Sequence, residues 1–467
     1  MSSLVHLVPY TSDEEAKKHF KQDHRTLIHL LESSFDGLFL DIYTPDIHSP
    51  YPIGITLHSF YRMRKISRVI SKALCAIVTN YFKDERLCKS LLELSPDAQS
   101  LLSVMEGHPY NIGSWRPDLL FPIGSSDSFV ICEINARYAF NGYFCSHEKN
   151  RILDQIPYLS RVPMMPVTEL RDIPDLFRCF FDRSKVVGIL KSDPKEGWDV
   201  KMFRSCVAEA QESNEKTKEN YAIIDETYLP NPPEPLDEFP SPLFPPPRLS
   251  RDDSASFPSP PVNVRQASNE LSKLGFPSNA AASIAPDTSN TNIASNPNVG
   301  VRFLSPHDLA PRPDETGVSD ASGPIEQFAI ECSQAELLSM DRDILRRIIS
   351  CPHINDIRTI FLAHDKRMLS VLTTPDIMKD YLDPAEVNLL QSSIIDTYIC
   401  GIHTEIVSIA KRERTNWILK PNGGGKGIGI VFGRDCSSDE QWVTLLDDPA
   451  HALFILQRIV AQQVVGK

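Results

Sequence analysis

Ile66, Val69, Ile70, Leu74, Ile77, Val78 and Tyr81 recur at steps of three and four residues, which predicts an amphipathic helix over about 60–83. Arg62, Arg64, Lys65 and Arg68 lie opposite that stripe, either as a solvated face or as a surface for an anion. The run Ser128-Phe129-Val130-Ile131-Cys132 is short, apolar and ends at Glu133, the pattern of a buried strand with charge at its carboxyl end. Further strands are predicted at Val186–Lys191, Tyr221–Asp225, Val301–Leu304 and Thr359–Ala363, with helices from Asp199 to Gln211 and around Ala335 to Ile349. Strand and helix thus alternate, which argues for a mostly parallel sheet with helices on its faces. No repeat with a solenoid period is visible.

Prolines interrupt this order. Twelve of the 37 fall between Pro230 and Pro261, and the stretch that follows is rich in Ser, Asn, Ala and Pro. Burial cannot offset ordering entropy in such a segment, so 229–300 reads as a disordered insert. The insert is either a tether for docking and phosphorylation or a length-tolerant loop. A chain of 467 residues is long enough for two to four packing units, and no apolar run is long enough to cross a bilayer. The 48 Lys+Arg against 61 Asp+Glu give a net charge of -13, which leaves no general positive field for a nucleic-acid backbone. The amino end lacks a secretory or transit pattern, and the 10 Cys form no C-x-x-C pair, so a reducing, cytoplasmic setting is expected.

The chemistry concentrates in two places. In Trp417-Ile418-Leu419-Lys420-Pro421-Asn422-Gly423-Gly424-Gly425-Lys426-Gly427-Ile428-Gly429-Ile430-Val431-Phe432, two strand-like runs flank a glycine loop and Lys420 closes the first run. Glycines allow backbone N–H groups to approach phosphate oxygens, and a lysine at a strand end adds a point charge, so the reading is a phosphate-gripping hairpin. It is not a Walker A loop, because no G-K-[ST] ends it, nor a Rossmann fingerprint, because a strand follows where that motif needs a helix. The second place is Arg116-Pro117-Asp118 with Glu133-Ile134-Asn135, joined by an apparent hairpin through Gly124–Asp127. Residues two apart on a strand share a face, so Glu133 and Asn135 offer two oxygens and Asp118 on the neighbouring strand a third, a hard set suited to Mg²⁺.

Together these stretches resemble the ATP-grasp superfamily. The Glu-x-Asn strand comes before the lysine and glycine loop, an order that resembles the circularly permuted branch containing eukaryotic glutathione synthetase and the synthetase domain of glutathionylspermidine synthetase. Arg116-x-Asp118 with Glu133-x-Asn135-Ala136 is similar to the metal motif of the latter, and Leu419-Lys420-Pro421 with Gly423-Gly424-Gly425 to the nucleotide motif of the former. The resemblance implies an α/β fold with an α+β lid, a central mostly parallel sheet and a glycine-loop subdomain. It implies roles too. Asp118, Glu133 and Asn135 hold Mg²⁺; Arg116 faces the transferred phosphoryl group; Lys366 and Lys420 contact ATP. Asn422, Gly423, Gly424, Gly425, Lys426 and Gly427 cover its phosphates, and the strand through Leu456, Gln457, Arg458 and Ile459 receives the adenine edge. Asn422 stands where glutathione synthetase has a metal-binding Glu. Tyr138 and Phe140 stand where it has substrate serines, so the acyl substrate differs from γ-glutamylcysteine or the two rings simply pack.

Such a family phosphorylates a carboxylate with ATP, and an amine displaces the phosphate. The expected protein is a carboxylate–amine ligase acting on small molecules, with a nucleotide-binding but inactive scaffold or a small-molecule kinase as the alternatives. Expected parts are 1–155 for the metal-binding portion, 156–375 for the central domain and 376–467 for the lid. Family members continue past the adenine strand, so the end at Lys467 leads to the expectation of a truncated lid or a covalent continuation. A homo-oligomer is also open.

Overall fold

The computed structural model describes residues 4–6, 10, 12–34, 49–123, 129–144, 146, 150, 152, 155–159, 180–182, 184–191, 199–204, 300–313, 317–425 and 427–462. All of these lie in one unit. A second unit, Pro242–Asn296, lies outside the described residues, as do the expected strand Tyr221–Asp225 and most of the 229–300 insert.

Strand β1 (Leu4–His6) pairs antiparallel with β2 (Ile53–Ile55), and helix α1 (Asp13–Ser34) lies between them in the chain. Helix α2 (Leu57–Asn80) carries the predicted stripe: Ile66, Val69, Ile70, Leu74, Ile77 and Val78 are all buried. Its start is set by Thr56, whose hydroxyl accepts from the Ser59 N–H and satisfies a backbone donor the helix cannot. Helix α3 (Pro96–Leu102) is capped in the same way by Ser95. Strands β3 (Arg116–Leu120) and β4 (Val130–Asn135) form the expected antiparallel hairpin, with its turn outside the described residues.

The central sheet is parallel throughout and runs β11–β10–β5–β6, from β5 (Val187–Leu190), β6 (Val301–Leu304), β10 (Gln327–Ile330) and β11 (His353–Ile354). Between β6 and β10 lies a small antiparallel meander of β7 (Ala310–Pro311), β8 (Val318–Asp320) and β9 (Gly323–Ile325). Both faces of β5 and β10 are covered, which explains why they read as apolar runs without alternation. Gly188 is required there: a Cβ would stand 2.5 Å from Leu304 Cδ1 and 2.7 Å from Ile325 Cγ2.

Two expectations are corrected. Thr359–Ala363 is a helical turn rather than a strand; His364 N–H closes it on the Thr359 carbonyl, and β11 is the sheet member instead. All five residues are buried, and a short run apolar on every side carries no period that separates buried helix from strand. The predicted 335–349 helix is two helices, Gln334–Ser339 and Arg342–Ile349, because Asp341 accepts from the N–H groups of Asp343 and Ile344 and starts a new one.

The last sheet is antiparallel, ordered β12–β15–β13–β14, from β12 (Thr397–Ile399), β13 (Trp417–Lys420), β14 (Val431–Phe432) and β15 (Ile455–Arg458). It has its own core around Trp417, Leu419, Trp442 and Leu456. The larger core runs from Ile66 through β4 and β10 to Ile394, so no break in packing separates 1–155 from 156–375. Arg62 leaves the basic cluster of α2 and turns inward, donating to the carbonyls of Phe129 and Ser392 and to Ser393 Oγ at 3.1–3.4 Å. Among the described residues no helix is long and apolar enough to cross a membrane.

The carboxyl ends of the parallel strands support the segment that follows β4. Asn355, just past β11, accepts from Ser114 N–H and donates to the carbonyls of Ser114 and Tyr138 at 3.0 and 3.1 Å. Glu331, just past β10, accepts from the Phe140 N–H at 3.1 Å, and burial pushes its carboxyl up to about 7. Phe140 itself is buried against Phe144 and Phe203, so its ring serves packing.

Gly188→Ala is expected to lower unfolding free energy by about 1–3 kcal/mol through overpacking, read by urea denaturation. The folded Glu331 keeps a proton that the unfolded chain releases near 4.5, so its contribution to stability is present below 4.5 and lost as pH rises through about 7. That loss has a slope of at most about 1.4 kcal/mol per pH unit. Glu331→Gln, which keeps the acceptor for Phe140, is expected to flatten this slope in denaturation curves taken from pH 4.5 to 7.5.

Candidate active site

The β3–β4 hairpin presents its polar side chains in register. Asp118 lies directly opposite Glu133 and Arg116 opposite Asn135, with a bulge just after Asp118 that re-aims the strand. Arg116 Nε is 3.3 Å from Asp118 Oδ1, and its Nη1 donates to the Asn141 carbonyl at 3.0 Å. The carboxylates of Asp118 and Glu133 and the amide oxygen of Asn135 are a hard-oxygen set. Among the described residues no group of three or more His, Cys, Asp or Glu converges into a metal cage. Two carboxylates and an amide suit Mg²⁺, which is commonly held by one or two carboxylates together with substrate phosphates.

Lys366 connects this hairpin to the glycine loop. Its Nζ lies 3.2 Å from Glu133 Oε1 and donates to the Gly424 carbonyl at 3.1 Å, and its backbone N–H donates to the Asn422 carbonyl at 2.9 Å. Residues flanking Lys366 in the chain hold it in place. Asp365 and Arg367 form a buried fork at 2.7–3.1 Å, Arg367 also donates to the Glu93 carbonyl, and Asn422 Nδ2 donates to Asp365 Oδ2 at 3.2 Å. Asn422 is therefore tied to Asp365. The Asp365–Arg367 fork carried no signal in the sequence beyond the neighbouring charges of 364–367, because nothing local says which of them is buried.

Lys420 closes β13 only 7% exposed, and its ammonium makes no ion pair or hydrogen bond with any described residue. Burial holds its ammonium below the usual lysine range, opposed by the negative fields of Cys132, Glu133 and Asp118 and reinforced by Lys366. The two stretches from opposite ends of the chain thus share one cleft, lined by Glu133, Lys366, Pro421, Gly425 and Ile428. Gly424, Gly427 and Gly429 have φ between 72° and 78°, and around Gly424, Gly425 and Gly427 a Cβ would meet nothing within 4 Å. That is an open rim of backbone, of the kind that approaches phosphate oxygens. Gly423 sits against Gln334, Ile428 at the rim is 77% exposed, and Lys426 lies outside the described residues.

The expected adenine strand is more constrained than its sequence suggests. Leu456 and Gln457 pair with β12 on one side and β13 on the other, so neither offers a free backbone edge. Arg458 has a partner only on β13, and Ile459 N–H donates to the Asn416 carbonyl, so a free edge begins at Arg458. The Gln457 side chain has another use: its Nε2 donates to the Cys132 carbonyl at 3.2 Å and to Thr397 Oγ1 at 2.9 Å, tying the lid sheet to β4.

The chain resembles known proteins along most of its length. Residues 66–218 and 288–362 match the AnkG N-terminal domain family. The chain is 23% identical over 443 residues to the ATP-grasp enzyme ankG of Aspergillus thermomutatus, covering 90% of this chain and 78% of that protein. Its fold is similar to a glutathione synthetase-like effector of Globodera pallida solved in the apo form, at a TM-score of 0.51 and 11% identity over 95% of this chain and 81% of that one. With the paired carboxylates of an early hairpin brought near a lysine and glycine loop from the far end of the sequence, the chain is similar to an ATP-grasp enzyme along most of its length, and its fold is glutathione synthetase-like.

Proposed function

We propose that this protein is a ligase that uses ATP to join a small-molecule carboxylate to an amine through an acyl phosphate. The observation that carries this reading is Lys420. A buried ammonium without a protein acceptor is costly, and a phosphate chain laid between it and the glycine rim supplies the missing anion. Lys366, whose charge acts on Lys420, lines the cleft with its carboxylate partner already in place, so one more anion meets a positive group that is prepositioned rather than recruited.

On this reading the acid's carboxylate oxygen attacks the γ-phosphorus, the bond to the β–γ bridging oxygen breaks, and ADP leaves. The amine then adds to the acyl carbon and expels phosphate, giving an amide. Phosphoryl transfer needs positioning and charge neutralisation more than covalent help, and the chain provides both. Lys366 and Lys420 bind phosphate oxygens, and Gly423–Gly427 cover them with backbone N–H groups. Arg116, held by Asp118 and the Asn141 carbonyl, meets charge developing on the transferred group. Asp118, Glu133 and Asn135 would hold Mg²⁺, which when bound neutralises phosphate charge.

Lys420→Ala is expected to weaken binding of the non-hydrolysable analogue AMP-PNP with Mg²⁺ at least tenfold in isothermal titration. Unchanged affinity would remove the glycine loop from the nucleotide site. Asp118→Asn is expected to raise the Mg²⁺ concentration needed for half-maximal ADP release several-fold. Hydroxylamine trapping separates the ligase from a kinase, because an activated carboxyl yields a hydroxamate and a phosphorylated alcohol does not. ADP release without hydroxamate across a panel of acids would overturn the ligase reading.

A further inference from the structure

Arginines that approach the interior of this protein are met by acceptors. Arg367 forks onto Asp365, Arg358 onto Asp356 and the His108 and Pro109 carbonyls, and Arg302 onto Asp320. Arg137 departs from this rule. It lies half-buried two residues beyond Asn135, its Nε is sealed from solvent without a partner, and it forms no ion pair or hydrogen bond with any described residue. Its guanidinium carbon stands 4.6 Å over the ring of Tyr138, which supports one face of the planar group and leaves the N–H edge free.

The surroundings of Arg137 are those of the cleft. Its charge acts on Tyr138, on Cys332 at the carboxyl end of the central sheet, and on His364 just before Lys366. His364 is 4% exposed and its Nδ1 accepts from the Ala136 N–H at 3.4 Å. The other ring nitrogen, Nε2, is buried and has no geometric hydrogen-bond partner among the described residues. Nearby carboxylates are engaged elsewhere: Glu133 by Lys366, Glu331 by the Phe140 N–H, and Glu336 by the backbone of Ser333. A cation and a buried imidazole nitrogen thus stand near Lys366 and Glu133, with no anion among the described residues assigned to either.

We propose that Arg137, with His364 Nε2 near it, receives a second carboxylate on the acid that is activated, so that the acyl substrate is a dicarboxylic acid or a longer acid bearing a further carboxylate. The inference rests on the ligase reading of the same cleft. A planar guanidinium fork matches a carboxylate in two parallel hydrogen bonds and rejects an alkyl end, which would leave a half-buried charge unpaired. Tyr138, in place of a small hydroxyl residue, serves as the platform that holds the fork.

The test uses the full chain loaded with Mg²⁺ and AMP-PNP, titrated with matched acids: succinate against butyrate, and glutarate against pentanoate. The wild type is expected to bind each diacid at least tenfold more tightly than its partner. Arg137→Gln is expected to erase that preference while keeping AMP-PNP affinity within twofold, and Arg137→Lys, which keeps the charge without the fork, to retain part of it. Equal affinities or no acid binding in the wild type overturns the proposal. So does a preference that survives Arg137→Gln, or a Gln variant that instead loses nucleotide affinity, which would place the guanidinium on the triphosphate. Should Arg137→Gln fail to fold by circular dichroism, Arg137→Lys decides: an undiminished preference overturns the proposal. Failure of AMP-PNP to bind the wild type at all sinks the ligase reading itself, and this one with it.

Discussion

One ammonium group holds together parts of the chain nearly 300 residues apart. Lys366 meets the Glu133 carboxylate, the Gly424 carbonyl and, through its backbone, the Asn422 carbonyl. That contact is a polar link across the cleft between the β3–β4 hairpin and the glycine loop. A buried ion pair of this kind is weak evidence for stability, because desolvating both charges costs about as much as their attraction returns. What it presents is a positive group and a negative group held at fixed positions on the cleft wall.

The framework that keeps those positions is mostly uncharged. Backbone groups of Ile131 exchange hydrogen bonds with Ser393 and Ile395, so β4 is stitched to the segment entering the lid sheet. Arg62 clamps the same junction from α2, and Gln457 clamps it from β15. Asn355 and Glu331 fasten the segment after β4 onto the ends of the parallel strands. The segment after β4 is therefore anchored at the carboxyl ends of the parallel strands. The cleft thus has hydrogen-bonded support on one side and an open glycine rim on the other.

Some of this was legible before any coordinates. The α2 stripe, β4, the central strands at 187–190 and 301–304, and the hairpin around the glycine loop all announced themselves through periodicity or through glycines too costly to be incidental. Thr359–Ala363 was misread because total burial erases the period by which helix and strand are told apart. Arg62 looked like one more member of a solvated basic face; its inward turn depends on carbonyls of Phe129 and Ser392, the latter more than 300 residues away. Gln457 was expected near a nucleotide for its backbone, and its side chain proved to be the part engaged.

Short-range physics explains this division. Hydrophobic spacing, capping residues and glycine loops act over a few positions, so element type, the glycine-loop hairpin and the oxygen-bearing strand are written locally. Which charge is paired, which is stranded and which face of a strand is already taken are sums over neighbours brought in from elsewhere. The alignment of Asp118 with Glu133, the isolation of Lys420 and the unclaimed edge of Arg137 exist only once the chain has closed on itself.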